Sequence, residues 1–253
     1  MALLTVNNVG VRFGGVVALD DLSFEVEQGT ICALIGPNGA GKTTLFNVLS
    51  RLYRADSGSV DFDGHDLLAV PAHRIAHVGL ARTFQNVALF PALTVLENVC
   101  TGTQAHGELG FTRAMLRIGA ARNERAVRQS ALDLLERLDL ARLAHRPVAG
   151  LPFGTLKRIE FARALAAEPK LLMLDEPANG LTHTEVEELG ATIRSIRDQF
   201  GLTMLLVEHH MAMVMAISDH IVVLDFGRKI ADGPPAAIRN DPVVIEAYLG
   251  APA

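Results

Sequence analysis

Apolar and polar residues alternate along the first quarter of the chain, take up helical spacing in its middle, and then fall into short apolar runs. From Leu3 to Phe13 the alternation is irregular, Gly14-Gly15 interrupts it, and Leu22 to Glu27 alternates again before Gln28-Gly29-Thr30. A period near two predicts antiparallel strands in both stretches. Thr30 to Ile35 suits a buried strand, Leu45 to Leu52 lacks Gly and Pro as a helix does, and Ser57 to Gly64 reads as a short strand with turns. Between Thr94 and about Ala144 the pattern is helical, clearest over Arg128 to Leu143, where Ala131, Leu132, Leu135, Leu138 and Leu140 recur among charges; Gly102 to Gly110 breaks it. This predicts a mainly helical insert between strands of an α/β core. A further amphipathic helix follows Gly154 and runs to Ala167, ended by Pro169. Leu171 to Leu174 then close on Asp175-Glu176, as in a buried parallel strand whose C-terminal end carries chemistry. Leu202 to Val207 and Ile221 to Leu224 are strand candidates around a helix beginning near Met211, with Met211, Met213 and Met215 read as packing. Asp241-Pro242 opens a terminal helix to Leu249.

One stretch on this frame dictates a ligand. Gly36-Pro37-Asn38-Gly39-Ala40-Gly41-Lys42-Thr43-Thr44 matches GxxxxGK[ST] and lies between a predicted strand and a predicted helix, the order the motif requires. Its glycines let the backbone turn N–H groups inward, and the helix adds free N–H groups and the positive end of its dipole. The result is a phosphate cradle, in which Lys42 reaches the β- and γ-phosphates and the Thr43 hydroxyl ligates Mg²⁺. Asp175 and Glu176 complete the chemistry. Adjacent residues at a strand end point in different directions, so Asp175 is free to serve the metal and Glu176 to orient a water. Without the phosphate loop, an Asp-Glu pair at a strand end is most simply a turn.

Composition narrows the class. The chain has 253 residues, 49% of them hydrophobic, enough to bury a substantial core. No apolar run reaches the ~18 residues of a membrane span, and MALLTVNNVG lacks the marks of a signal peptide, so a cytoplasmic location is expected. A net charge of −5 without a basic cluster gives no support to nucleic-acid binding. Cys32 and Cys100 are far apart with no metal spacing around them, which argues against zinc, and Cys32 reads as a core residue. Asp61 to Gly64 fits DxxG, but no NKxD guanine-reading element is present; Asp225-Phe226-Gly227 spells DFG, but no HRD loop precedes it. Both read as turns.

The segments GPNGAGKTT, Arg82-Thr83-Phe84-Gln85-Asn86, LPFGTLKR at 151–158, LLMLDEP at 171–177 and Glu208-His209 resemble, in order and spacing, the successive motifs of ABC-type ATPases. More narrowly, ARTFQNVALFPALTVLENV, DEPANGL and DPVVIEAYLG resemble the ATP-binding subunits of branched-chain amino-acid ABC importers. The resemblance spans essentially the whole chain. It implies an α/β fold with a P-loop NTPase core, an antiparallel β subdomain and a helical insert. In a single ABC ATPase domain, 1–85 and 170–253 would form the core with its β subdomain, and 86–169 the helical subdomain with the signature.

Further implications of the resemblance are ATP and Mg²⁺ as ligands, adenine on Phe13, phosphates on Gly36 to Thr44, Mg²⁺ at Thr43, Asp175 and Gln85, and catalysis by Glu176, Lys42 and His209. It also implies membrane-spanning permease subunits, a second ATPase subunit in a heterodimer or homodimer, an indirectly coupled solute-binding protein, and attachment to the inner face of the membrane through these partners. Taken alone, Phe13, Gln85 and His209 have ordinary structural readings.

Three departures from the family pattern stand out. The usual LSGGQ signature is here Leu151-Pro152-Phe153-Gly154-Thr155, and Pro152 offers neither a hydroxyl nor a backbone N–H. Thr182 stands where an Asp is common, and His210 follows His209 where Asp is frequent. Since the family's signature faces the nucleotide of the opposite subunit, LPFGT implies two unequal sites if the partner ATPase is a different chain. The rival readings are the ATPase of a lipopolysaccharide-type exporter and a soluble ABC ATPase of DNA repair or translation. The latter carry long coiled coils or two ATPase halves, and this chain has neither.

Overall fold

The structure, a computed structural model, describes residues 1–83, 88–103 and 120–249. Its strands in chain order are β1 (Ala2–Phe13), β2 (Val16–Glu27), β3 (Ile31–Ile35), β4 (Ser57–Phe62), β5 (His65–Asp66), β6 (Leu80–Arg82), β7 (Leu171–Asp175), β8 (Thr203–Val207), β9 (His220–Asp225) and β10 (Arg228–Gly233). The α-helices are α1 (Lys42–Leu49), α2 (Val95–Gly102), α3 (Ala120–Arg137), α4 (Phe153–Leu165), α5 (His183–Phe200), α6 (Met211–Ile217), α7 (Pro235–Arg239) and α8 (Pro242–Leu249). The chain divides into two compact units, Met1–Ile75 with Lys170–Ala253, and Ala76–Pro169.

In the first unit, β2, β1, β4 and β5 form an antiparallel sheet in that order. Register shifts between Val6 and Val9 and between Val9 and Val11 account for the irregular alternation of the sequence there, since each extra residue flips the faces that follow. The order β10-β9-β3-β8-β7 makes the second sheet of this unit, parallel from β9 to β7 with β10 antiparallel at its edge. Every residue of β3, β7 and β8 is buried, as parallel strands covered on both faces require. These three strands therefore deliver the loops after Ile35, Asp175 and Val207 to one edge of the sheet. The DFG triplet is the turn between β9 and β10, with positive φ at Phe226 and Gly227, and the Gly64 N–H donates to Asp61 Oδ1 at 3.1 Å in the turn after β4.

The second unit packs α2 against α4. A Cβ on Gly102 would lie 2.0 Å from the Arg163 carbonyl oxygen, so only glycine lets the two backbones meet there. Thr94 and Glu97 cap α2 reciprocally, each side chain serving the other's backbone N–H.

Two helices stop short of their apolar patterns. Helix α3 ends at Arg137 rather than Leu143, and α1 starts at Lys42 and ends at Leu49 rather than Leu52. In each, a non-glycine residue in the left-handed region closes the helix: Asp139 at φ 54 with Leu140 N–H on the Leu135 carbonyl, and Arg51 at φ 60 with Leu52 N–H on the Asn47 carbonyl. This is the Schellman closure, which the pattern of side chains does not reveal when glycine is absent.

Candidate functional site

The phosphate-loop match occupies the turn from β3 into α1. Gly36 has φ 150, and a Cβ on it would lie 2.1 Å from the Leu224 carbonyl oxygen of β9. At Gly41, φ is 103 and a Cβ would come within 2.6 Å of the Ala18 carbonyl oxygen. Both positions thus require glycine for conformation and for space. Gly41 is also the N-cap of α1 and supplies no side-chain acceptor, leaving the first-turn N–H groups of the helix without such a cap. Ala40 is buried; Asn38 and Thr43 are exposed; Pro37 and Thr44 are half-buried. The Lys42 ammonium folds over the loop and donates to the carbonyls of Gly36 at 2.6 Å and Pro37 at 2.8 Å. Partial burial lowers its pKa, and the negative charge of Glu176 acts in the opposite direction.

Asp175 ends β7 almost fully buried, in register with Val207 of β8. Glu176 then takes a left-handed φ of 46, its N–H donating to the Val207 carbonyl at 2.9 Å. A non-glycine residue in this region is strained unless its surroundings hold it, and such strain gathers at sites of function. Just past the end of the neighbouring strand β8, Glu208 is 1% exposed, whereas the His209 side chain is 59% exposed. His209 lies beside His210, with ring centroids 4.5 Å apart. The Glu208 carboxylate accepts from the N–H of Ala178 at 2.7 Å, of His209 at 2.8 Å and of His210 at 3.2 Å. Sequence reasoning gave Glu208 no role of its own. Potential ligand atoms of Glu208, His209 and His210 lie within 4.8 Å of one another, but the three N–H groups already engage the carboxylate.

Phe13, at the end of β1, is half exposed and meets Tyr53 edge-on, with ring centroids 5.2 Å apart. Tyr53, which follows α1, is a second aromatic at this place that the sequence reading did not single out. Gln85 lies outside the described residues.

In the second unit, Leu151 is buried, Pro152 is the N-cap of α4, and Phe153, Gly154 and Thr155 form its first turn. The Pro152 carbonyl accepts from Leu156 N–H at 3.0 Å, and its side chain caps nothing. A Cβ on Gly154 would meet no atom within 4 Å. Lys157 and Glu160, both 2% exposed, pair at 3.4 Å one turn further along.

Thr182 serves a local purpose: its N–H and hydroxyl donate to Glu185 at 2.8 and 2.7 Å, fixing the start of α5. His210 is the residue from which α6 starts, its carbonyl accepting from Val214 N–H at 3.0 Å.

Known proteins resemble this chain along nearly its whole length. The profile of the ABC transporter family matches residues 19–179, and that of the branched-chain amino acid ATP-binding cassette transporter matches 228–253. The chain is 42% identical over 249 residues to the high-affinity branched-chain amino acid transport ATP-binding protein BraF of Pseudomonas aeruginosa, covering 98% of each chain. It is 41% identical, again over 98% of each, to LivG of Escherichia coli, which bears the same description. Among solved structures, the ADP conformation of MJ1267, an ATP-binding cassette of an ABC transporter, superimposes with a TM-score of 0.86 at 33% identity over 99% of both chains. A nucleotide-free ATP-binding cassette from an ABC transporter gives 0.84 at 33% identity, over 99% of this chain and 100% of that one.

Proposed function

Because the chain belongs to the ABC transporter family, as an ATP-binding cassette with ATPase activity, we propose that it hydrolyses MgATP to drive import of branched-chain amino acids. One observation carries the mechanism: β3, β7 and β8 run parallel and end together, so the Gly36 loop, the Asp175-Glu176 pair and His209 share one edge, where the charge of Glu176 reaches Lys42.

The adenine stacks on Phe13, with Tyr53 beside it. The phosphates enter the cradle of the Gly36 loop and the first turn of α1, and Lys42 transfers its hydrogen bonds from the loop carbonyls to phosphate oxygens. The Thr43 hydroxyl and the Asp175 carboxylate are hard oxygen donors that fit Mg²⁺, with Gln85 a third by resemblance to the family. The metal, when bound, neutralises charge on the β- and γ-phosphates. Glu176 orients a water for in-line attack on the γ-phosphorus and accepts a hydrogen bond from it, while Lys42 and His209 stabilise the charge that develops.

Residues 86–169 form the helical subdomain, and LPFGT faces the nucleotide of a second ATPase subunit. The chain reaches the membrane through permease subunits docking near Gln85 and this subdomain, and a solute-binding protein is coupled only through them. No described helix is long and apolar enough to cross a membrane. The solute reading is supported by relatives whose names specify branched-chain amino acids and by the matched C-terminal profile.

The test is ATP-dependent leucine uptake into proteoliposomes holding the chain and its co-purified membrane subunits. Uptake that stops with Glu176→Gln supports the reading. ATP hydrolysis without leucine uptake, or outward transport of a lipid, contradicts import. Subunit composition has its own test, the mass of the Glu176→Gln chain by light scattering with ATP bound: an unchanged mass supports a different ATPase partner, and a doubled mass a homodimer.

A further inference from the structure

Glu208 is a buried carboxylate that the mechanism above does not use. It follows β8 directly, and both of its oxygens are engaged by backbone: Oε1 by the Ala178 N–H, Oε2 by the N–H groups of His209 and His210. Ala178 lies two residues beyond Glu176, in the loop leaving β7, and His209 opens the loop leaving β8. One carboxylate therefore ties together two loops from neighbouring strands. At 1% exposure, no water replaces these bonds. The loops are otherwise joined close by through the Glu176 N–H on the Val207 carbonyl.

The geometry points to Glu208 as a positioning residue that holds the Glu176 loop and the His209 loop in a fixed relation, so that the water and the γ-phosphate are addressed from set positions. This rests on the catalytic reading of Glu176 and His209. The chemistry of the linkage is specific to an ionised carboxylate, which accepts with both oxygens. An amide of the same shape presents NH₂ at one of the two places, setting donor against donor and releasing either Ala178 or the His209-His210 pair. A shorter aspartate does not span both loops. Charge-assisted bonds of this kind are the stronger class, and since they join the loops of Glu176 and His209 and not the Gly36 loop, their loss is felt in turnover rather than in nucleotide affinity.

The experiment is a double-mutant cycle on MgATP turnover by the full chain, with ATP affinity measured in parallel. Glu208→Gln is expected to lower kcat about ten- to a hundredfold at unchanged ATP affinity. In a His209→Ala background the same change should have a clearly smaller effect, because one of the two loops it serves no longer carries its catalytic group. An equal factor in both backgrounds, or wild-type turnover of Glu208→Gln, overturns the inference. Full turnover of His209→Ala alone instead overturns the reading of His209. Should Glu208→Gln fail to fold, amide hydrogen exchange of the unmodified chain decides: Ala178 and His209 should be protected to a similar extent, and an Ala178 amide exchanging as freely as an open loop contradicts the linkage.

Discussion

Substituting Gly36 and Gly39 by alanine separates steric fit from backbone freedom within one loop. An alanine Cβ at 36 would lie 2.1 Å from the Leu224 carbonyl oxygen, about 1.3 Å closer than the 3.4 Å at which ordinary contact begins. Leu224 has little room to retreat, since β9 is paired with β3 on one side and β10 on the other. Overpacking against so fixed a neighbour costs about 1–3 kcal/mol. The glycine-type backbone conformation, φ 150, adds about 1–3 kcal/mol for an L-residue. At Gly39, φ is 83 and a Cβ would meet nothing within 4 Å, so only a conformational cost of about 1–2 kcal/mol applies. Thermal unfolding without nucleotide should therefore place Gly36→Ala below Gly39→Ala, and Gly39→Ala below wild type, with Gly36→Ala on the order of 10 °C below wild type. Any strain relieved by displacing the loop appears as weaker ATP binding, at least about tenfold in a titration of Gly36→Ala. If Gly36→Ala melts no lower than Gly39→Ala and binds ATP as wild type does, the contact with Leu224 does not govern the loop and the reasoning fails.

Two other outcomes follow from polar contacts away from the loop. Lys157→Met removes the cation that lies 3.4 Å from the buried Glu160 carboxylate while the charge of Arg163 still acts on it, and chemical denaturation should show a loss of about 1–3 kcal/mol; a variant as stable as wild type would refute this. The Thr182 N–H and then its hydroxyl hold the Glu185 carboxyl below the ordinary glutamate range. Because its folded pKa is depressed, the stabilisation is present above the unfolded value and disappears as pH falls through the folded one. Glu185→Gln should therefore melt below wild type at neutral pH, with the gap closing in acid; a gap of constant size at every pH contradicts the cap.

The parts of the fold legible in the sequence are those set by short-range rules. The phosphate loop was readable because glycine is required at 36 and 41 by local conformation, and β7 because a buried parallel strand is a plain apolar run. Helix ends are legible where proline or glycine marks them, as Pro169 does beyond α4. Gly201, at φ 62, closes α5, but Asp139 and Arg51 perform the same closure with side chains that carry no such signal. Helix α5 itself received no assignment, its polar face being wide and its start set by the Thr182–Glu185 cap. In the sequence Glu208 is only the neighbour of His209. Its importance depends on β7 and β8 lying side by side, and residues 178 and 208 are joined by tertiary structure, not by spacing. Tyr53 is similar: nothing local to it announces the ring of Phe13.

The measurement that bears most directly on the account is MgATP hydrolysis by Glu176→Gln beside its affinity for ATP. The substitution keeps the size of a side chain whose backbone is held at φ 46 and removes its negative charge, and with it the ability to act as a base. The account predicts unaltered ATP binding and turnover lower by about 10²–10⁴-fold. Glu176→Gln turning over ATP at the wild-type rate would contradict it, and would move the chemistry to another group at the end of the sheet.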